Sequence, residues 1–184
     1  MATDGAVRFS VARLRLCHFF VGGDCLYSTI HYRKHWSVFM ITNEEKRETY
    51  IGLKTRLKKA LVSGFWLEAC MIEYAIIEDR TASILLHGGI TDKVWEKKLS
   101  NKLNSIEHQI GKKHPIISKK VSVETIREIR EWKDQRNEAV HRACITVYDE
   151  NAFRSIAENG KMLMDKISND AQKVMRAEKK NGIV

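Results

Sequence analysis

Proline is almost missing from this chain. Pro115 is the only one, and 10 glycines are spread over 184 residues, so little interrupts the backbone and long helices are favoured. Long apolar runs are missing as well. None approaches the ~18 residues of a membrane span, and the apolar stretch 16–21 is too short for a secretory signal. No CxxC pair occurs among Cys17, Cys25, Cys70 and Cys144. Cys70 and Cys144 sit in apolar helical patterns and are expected as small buried hydrophobes. A reducing, cytoplasmic setting is the default expectation. There is no internal repeat and no glycine-rich phosphate loop.

What remains is 43% hydrophobic and 30% charged, a balance that suits a folded globular chain rather than a disordered one. The length allows one well-buried core and is short for two full domains. With 32 basic against 23 acidic residues the net charge is +9, which fits nucleic acid or another anionic surface as partner.

Residues 1–39 differ in character from the rest. They hold two acids, Asp4 and Asp24, against Arg8, Arg13, Arg15, Arg33 and Lys34, and their aromatics and histidines follow no period. At Met40 the sequence turns abruptly into a charged, amphipathic helix start. The expectation is that Met40 is the initiator and that 1–39 is a non-native or disordered extension. This segment carries the one metal-like constellation, Cys17, His18, Cys25, His31 and His35. Seven residues separate the two cysteines where structural zinc sites use two to four, so no metal and no cofactor is expected.

From Glu44 onward apolar residues recur at three- and four-residue steps. A first helix carries Tyr50, Leu53, Leu57, Ala60 and Leu61 and breaks at Ser63-Gly64. A second runs from about 65 to 86 with Leu67, Cys70, Met71, Tyr74, Ile77, Ile84 and Leu85 inward, stopped by His87-Gly88-Gly89. A third opens at Thr91-Asp92 and carries Val94, Trp95, Leu99, Leu103, Ile106 and Ile110. A loop over 111–118 follows. Ser122 caps a fourth helix and Asp149 a fifth. The fold class is all-α, an antiparallel bundle of about five helices spanning 40–178, with a frayed tail over 179–184. Trp66, Trp95 and Trp132 are expected in the core or at a subunit surface.

The densest chemistry lies in the fourth helix, where Arg136, Asn137 and His141 fall within six residues. Spacing alone says little: about 1.5 arginine–histidine pairs with four to six intervening residues arise by chance from 13 arginines and 7 histidines, and the chain has three. Arg13/His18 lies in the atypical segment. Arg80/His87 ends at a glycine turn, where His87 is expected to cap helix carbonyls. Only Arg136 is followed by a short polar amide. Asn137 and His141, four apart, share a helix face. Arg136 and His141, five apart, diverge by roughly 140° on a 3.6-residue turn. Arg136 must curl to meet His141, or the two meet across a dimer axis.

Arg136-Asn137-x-x-x-His141 on a late helix of a small α-bundle resembles the HEPN family (higher eukaryotes and prokaryotes nucleotide-binding domains). The bundle order extends the resemblance over about 44–175; the specific motif covers six residues. The resemblance implies a homodimer with both motifs lining a shared cleft, and metal-independent RNA cleavage. His141 would then be general base on a ribose 2′-hydroxyl or acid on the leaving oxygen. Arg136 would hold the phosphate, and Asn137 would orient the phosphate or His141. The family often adds an acid from an earlier helix, for which Glu73 and Glu78 are the candidates, while Asp79 is expected to be solvated or paired within its helix. A toxin or phage-defence effector restrained by an antitoxin-like partner fits this reading. The alternative is a non-catalytic HEPN-like dimerisation or adaptor module, prophage-encoded; a third is nucleotide binding in the same cleft. Two basic clusters are candidates for weak, salt-sensitive RNA attraction. One is Lys54, Arg56, Lys58 and Lys59. The other is Lys97, Lys98, Lys102, Lys112, Lys113, Lys119 and Lys120.

Overall fold

The computed structural model describes residues 43–181, apart from 92, 95, 96, 144, 147 and 148. The readings made for 1–39, including the cysteine–histidine constellation, and those for Trp95 and Cys144, lie outside the described residues. Six helices and no strand are found among them: α1 Asn43–Val62, α2 Trp66–His87, α3 Leu99–Gly111, α4 Ile117–Lys120, α5 Val123–Ala143 and α6 Glu150–Asn181. Among the described residues no helix is long and apolar enough to cross a membrane.

The helix ends follow local chemistry. Ser122 Oγ accepts the Glu124 N–H at 3.2 Å and Asp149 Oδ1 accepts the Ala152 N–H at 3.0 Å, so each caps the helix it precedes. At the end of α2, Gly89 (φ +81°) lets the Ile90 N–H reach Leu85 O at 2.8 Å and its own N–H reach Leu86 O at 2.9 Å. Gly64 (φ +73°) closes α1 in the same way, with Phe65 N–H on Ala60 O at 2.9 Å.

Three expected boundaries shift. The third helix begins at Leu99 rather than Thr91, because Lys93 sits in the left-handed region (φ +45°) and Lys98 is extended. Val94 is nonetheless fully buried. The loop after α3 contains the short α4, whose Ile117 fills the space over Gly88; a Cβ there would fall 2.6 Å from Ile117 Cδ1. Helix α6 runs on through Asn181, into the expected tail. At 32 residues it is roughly 48 Å long at a 1.5 Å rise.

Side-chain contacts give the helix directions. Lys46 meets Asp79 and Arg56 meets Glu68, so α1 and α2 are antiparallel. Lys133–Ser100 and Arg130–Glu107 do the same for α3 and α5, and Trp132–Ile156 and Lys166–Glu128 for α5 and α6. Helices α2 and α6 run parallel, however: Trp66 meets Glu150, Cys70 meets Phe153, and His87 meets Glu178. A strictly antiparallel bundle would place these contacts in the reverse order. The arrangement follows from the stretch 88–98, which doubles back along α2 so that Lys102 of α3 meets Glu78 and Ile117 meets Gly88.

The core lies among α2, α3, α5 and α6, with Ile76, Ile77, Ile84, Leu85, Leu103, Ile106, Ile126, Ile129, Leu163 and Ile167 at most 1% exposed. Trp132 is fully buried, and its indole N–H donates to Ile156 O at 2.9 Å. Two expected core residues of α2, Leu67 and Met71, are instead 39% and 43% exposed.

Candidate functional site

One turn beyond Trp132 on α5, Arg136 turns into the seam with α2 and is 3% exposed. One terminal nitrogen, Nη1, donates to Asn137 Oδ1 at 3.1 Å, and the other, Nη2, lies against Met71 Sδ. The guanidinium sits over the Tyr74 ring, 4.9 Å from its centroid. Its Nε–H is buried and has no acceptor among the described residues. Burial pulls the Arg136 pKa below its ordinary value, with Tyr74 and Cys70 acting in the opposite direction. A guanidinium stays charged through any physiological pH, so this is a cation held by an aromatic face and a thioether rather than by a carboxylate.

Asn137 is half-buried, and His141, one turn further along the same face, is exposed. The motif thus divides as helical geometry requires. Arg136 and Asn137 are brought together by a hydrogen bond, while Arg136 faces the core and His141 faces outward.

The two acids named with the motif take different places. Glu78 pairs with Lys102 of α3 at 3.3 Å, and that lysine is itself only 3% exposed. Glu73 is fully buried, and neither carboxyl oxygen has a hydrogen-bond partner among the described residues. Burial raises its pKa to about 8, with Lys161 drawing it partly back. A buried carboxyl that lacks partners avoids the cost of a buried charge by staying protonated. Gly160 of α6 makes room for it, since a Cβ at 160 would collide with Glu73 Oε2 and come within 2.8 Å of Trp132. Neither acid makes an ion pair with Arg136. Glu73 and Arg136 both act on Cys70, whose thiol pKa burial pushes up to about 12, with Glu73 raising it further and Arg136 lowering it.

Asp79, expected solvated or paired within α2, does pair within that helix, with Arg80, and is in addition a hub to α1. It accepts from Lys46 at 2.9 Å and from the Tyr50 hydroxyl at 2.6 Å, and pairs with Arg80 at 3.1 Å. Arg80 Nε donates to the Tyr50 hydroxyl at 2.8 Å and stacks on the Tyr50 ring. Burial works to raise the Asp79 pKa, but the hydrogen bond from Tyr50 and the cations Lys46 and Arg80 hold it below its ordinary value, while burial and Asp79 push the Tyr50 hydroxyl well above its own. His87, expected to cap carbonyls, pairs through Nδ1 with Glu178 at 2.6 Å; the Gly88 N–H reaches the carbonyls of Ile84 and Leu85.

The contributions of Met71, Tyr74 and Gly160 to the Arg136 and Glu73 environments escaped the sequence reading. The one available signal was the α2 stripe Leu67, Met71, Tyr74, Glu78 at helical spacing, which reads equally well as core. A groove of about 610 Å³ between α5 and α6, lined by Ala139, Arg142, Ile145, Asp149 and Ile156, does not include Arg136 or His141. Among the described residues no three His, Cys, Asp or Glu side chains are grouped as metal ligands.

Comparison with protein-family models, with curated proteins and with solved structures finds no match.

Proposed function

We propose that this chain is a HEPN-like, metal-independent endoribonuclease whose site is completed across a homodimer cleft in the cytoplasm. The observation that carries the reading is the Arg136–Asn137 hydrogen bond at the α2/α5 seam, with His141 exposed one turn further on. Exposed Leu67 and Met71 beside that seam offer apolar surface to a second copy. In this reading His141 is the base on a ribose 2′-hydroxyl or the acid on the leaving 5′-oxygen. The 2′-oxygen attacks the adjacent phosphorus, the bond to the 5′-oxygen breaks, and that oxygen takes up a proton. The products carry a 2′,3′-cyclic phosphate and a 5′-hydroxyl. Arg136 stabilises charge on the phosphorane once Met71 moves aside, and Asn137 holds the guanidinium in place. Of the supporting acids, Glu78 is taken by Lys102, which leaves Glu73, buried and without a hydrogen-bond partner among the described residues, as the candidate. A toxin or phage-defence role, with an antitoxin-like partner restraining the nuclease, follows from the same reading.

The second reading is a non-catalytic HEPN-like dimerisation or adaptor module, prophage-encoded. The depth of Arg136 favours it: at 3% exposure, under Met71 and Tyr74, the guanidinium is covered against a phosphate. Cleavage of a labelled RNA pool in EDTA separates the two. Cutting by the wild-type chain that disappears in His141→Ala, with cyclic phosphate ends, supports the nuclease. Equal cutting by both proteins removes His141 from the site, and no cutting by either favours the adaptor.

A further inference from the structure

The stretch 108–123 contains four lysines, two histidines and no acid. It forms the end of α3, the α4 turn and the entry to α5, and Lys112, Lys113, Lys119 and Lys120 are all exposed. The fold brings a second basic segment to the same place. Ile117 of α4 packs on Gly88 at the end of α2, and His87 next to it pairs with Glu178, so exposed Lys179 and Lys180 of α6 end beside the α4 lysines. Glu178, the acid among residues 174–181, is already taken by His87. None of the six lysine side chains makes an ion pair or hydrogen bond among the described residues.

A bland account exists. Helices α2, α3 and α6 all end here, and lysines complement helix C-termini. Three such termini together carry only about −1.5 charges, so most of the positive charge of six lysines is left over. Lys113 adds a second sign. Where α1 and α2 end on left-handed glycines, α3 ends on a lysine at φ +55°, with the His114 N–H on Gln109 O at 2.9 Å in the same closing pattern. A cation occupies a position that glycine would take with less strain.

From these observations we propose that this end of the bundle is a sequence-independent docking surface for the phosphate backbone of single-stranded RNA. It lies roughly 24 Å along α2 from the level of Arg136, at 1.5 Å per residue. The inference rests on RNA as the substrate. A 2′-hydroxyl lines up with its own phosphate only in a strand free of A-form geometry, hence the single strand. Neither basic segment contains a tryptophan, tyrosine or phenylalanine, so no large aromatic platform is offered to the bases and the surface reads chiefly charge. Val123 is the sole large apolar side chain exposed in these two segments, which leaves no apolar face to enter a lipid surface.

The test is fluorescence anisotropy of a labelled 20-nucleotide single-stranded RNA in EDTA, titrated with full-length His141→Ala chain from 50 to 300 mM KCl. Replacing Lys112, Lys119 and Lys120 with Gln and Lys113 with Gly should weaken binding at least tenfold at 100 mM and flatten the slope of log K against log salt by about 3, at ~0.7 per phosphate contact. Lys179→Gln with Lys180→Gln should remove about 1.4 more. Lys54→Gln, Lys58→Gln and Lys59→Gln together, on α1, should change affinity less than twofold. An unchanged slope in the four-site variant overturns the proposal, as does an equal loss in the α1 variant, which would mean diffuse attraction to net charge. Binding to phosphatidylserine vesicles without binding to RNA overturns it too. RNA binding by a wild-type chain that cuts nothing removes the nuclease and keeps this surface; cutting with an unchanged slope does the reverse.

Discussion

Lys113 and Glu73 each occupy a position that a different residue would fill at lower free energy. Lys113 is held at φ +55°, and a side chain in that region costs roughly 1 kcal/mol relative to glycine. Lys113→Gly should therefore raise the melting temperature by a few degrees, while weakening RNA binding; a thermal melt in which the variant is no more stable than the wild type refutes the first half. Glu73 gives stability a pH dependence of definite sign. Its folded-state pKa, about 8, lies above the ordinary 4.5. Stability from the buried neutral carboxyl is complete below about pH 4.5 and is lost as pH rises through about 8, by up to ~1.4 kcal/mol per pH unit. Glu73→Gln stays neutral throughout. Urea midpoints of the two proteins should diverge in favour of the variant between pH 5 and pH 8.5, and parallel curves would mean that Glu73 finds a charge partner in solution.

Between elements, the contacts are of two kinds. Helix α1 packs on the core through Leu57 and Ala60 and is also tied to α2 by polar groups, with the Tyr50 hydroxyl between Asp79 and Arg80. Tyr50→Phe leaves Asp79 and Arg80 each short of a bond, and should cost about 1–2 kcal/mol and speed amide exchange in α1 ahead of α5. Exchange rising equally in both helices would argue against a local tie. Helices α2 and α6 are joined by close packing at Gly160. Gly160→Ala should cost about 1–3 kcal/mol by overpacking against Glu73 and Trp132, and part of that loss should be recovered in Glu73→Ala, where one of the two collisions is gone. Signals carried within a few residues, such as the Ser122 and Asp149 caps and the breaks at Gly64 and Gly89, were legible in the sequence and placed four of the five expected helices closely. The start of α3 was not, because the apolar stripe continues through Val94 while the backbone turns at Lys93. The parallel course of α2 and α6, the pairing of Glu78 with Lys102 and the exposure of Met71 depend on which helices become neighbours, and periodicity along one helix does not carry that. At the motif, helical geometry already separated Arg136 from His141. What filled the space around Arg136, a tyrosine ring and a thioether rather than a carboxylate, required α2 to be in place.

On the scale of the molecule, that separation becomes an argument about assembly. Within one chain Arg136 faces the α2 seam and His141 is exposed, so a site that uses both draws them most directly from two copies related by a two-fold axis. Complementation then has a definite outcome. Arg136→Ala and His141→Ala should each be inactive alone. Mixed in equal amounts after dissociation and reassociation, half the dimers contain one of each, and each such dimer has one site with both residues intact. Cleavage should return to roughly a quarter of the wild-type rate for a two-fold dimer with composite sites. If Arg136 curls to meet His141 within its own chain, every dimer in the mixture lacks a complete site and the mixture stays inactive. Adding Leu67→Glu and Met71→Glu to both chains places like charges on the apolar surface beside the seam. That change should yield monomers in sedimentation and abolish the recovered cleavage, and a mixture that still recovers activity as a dimer would place the interface elsewhere.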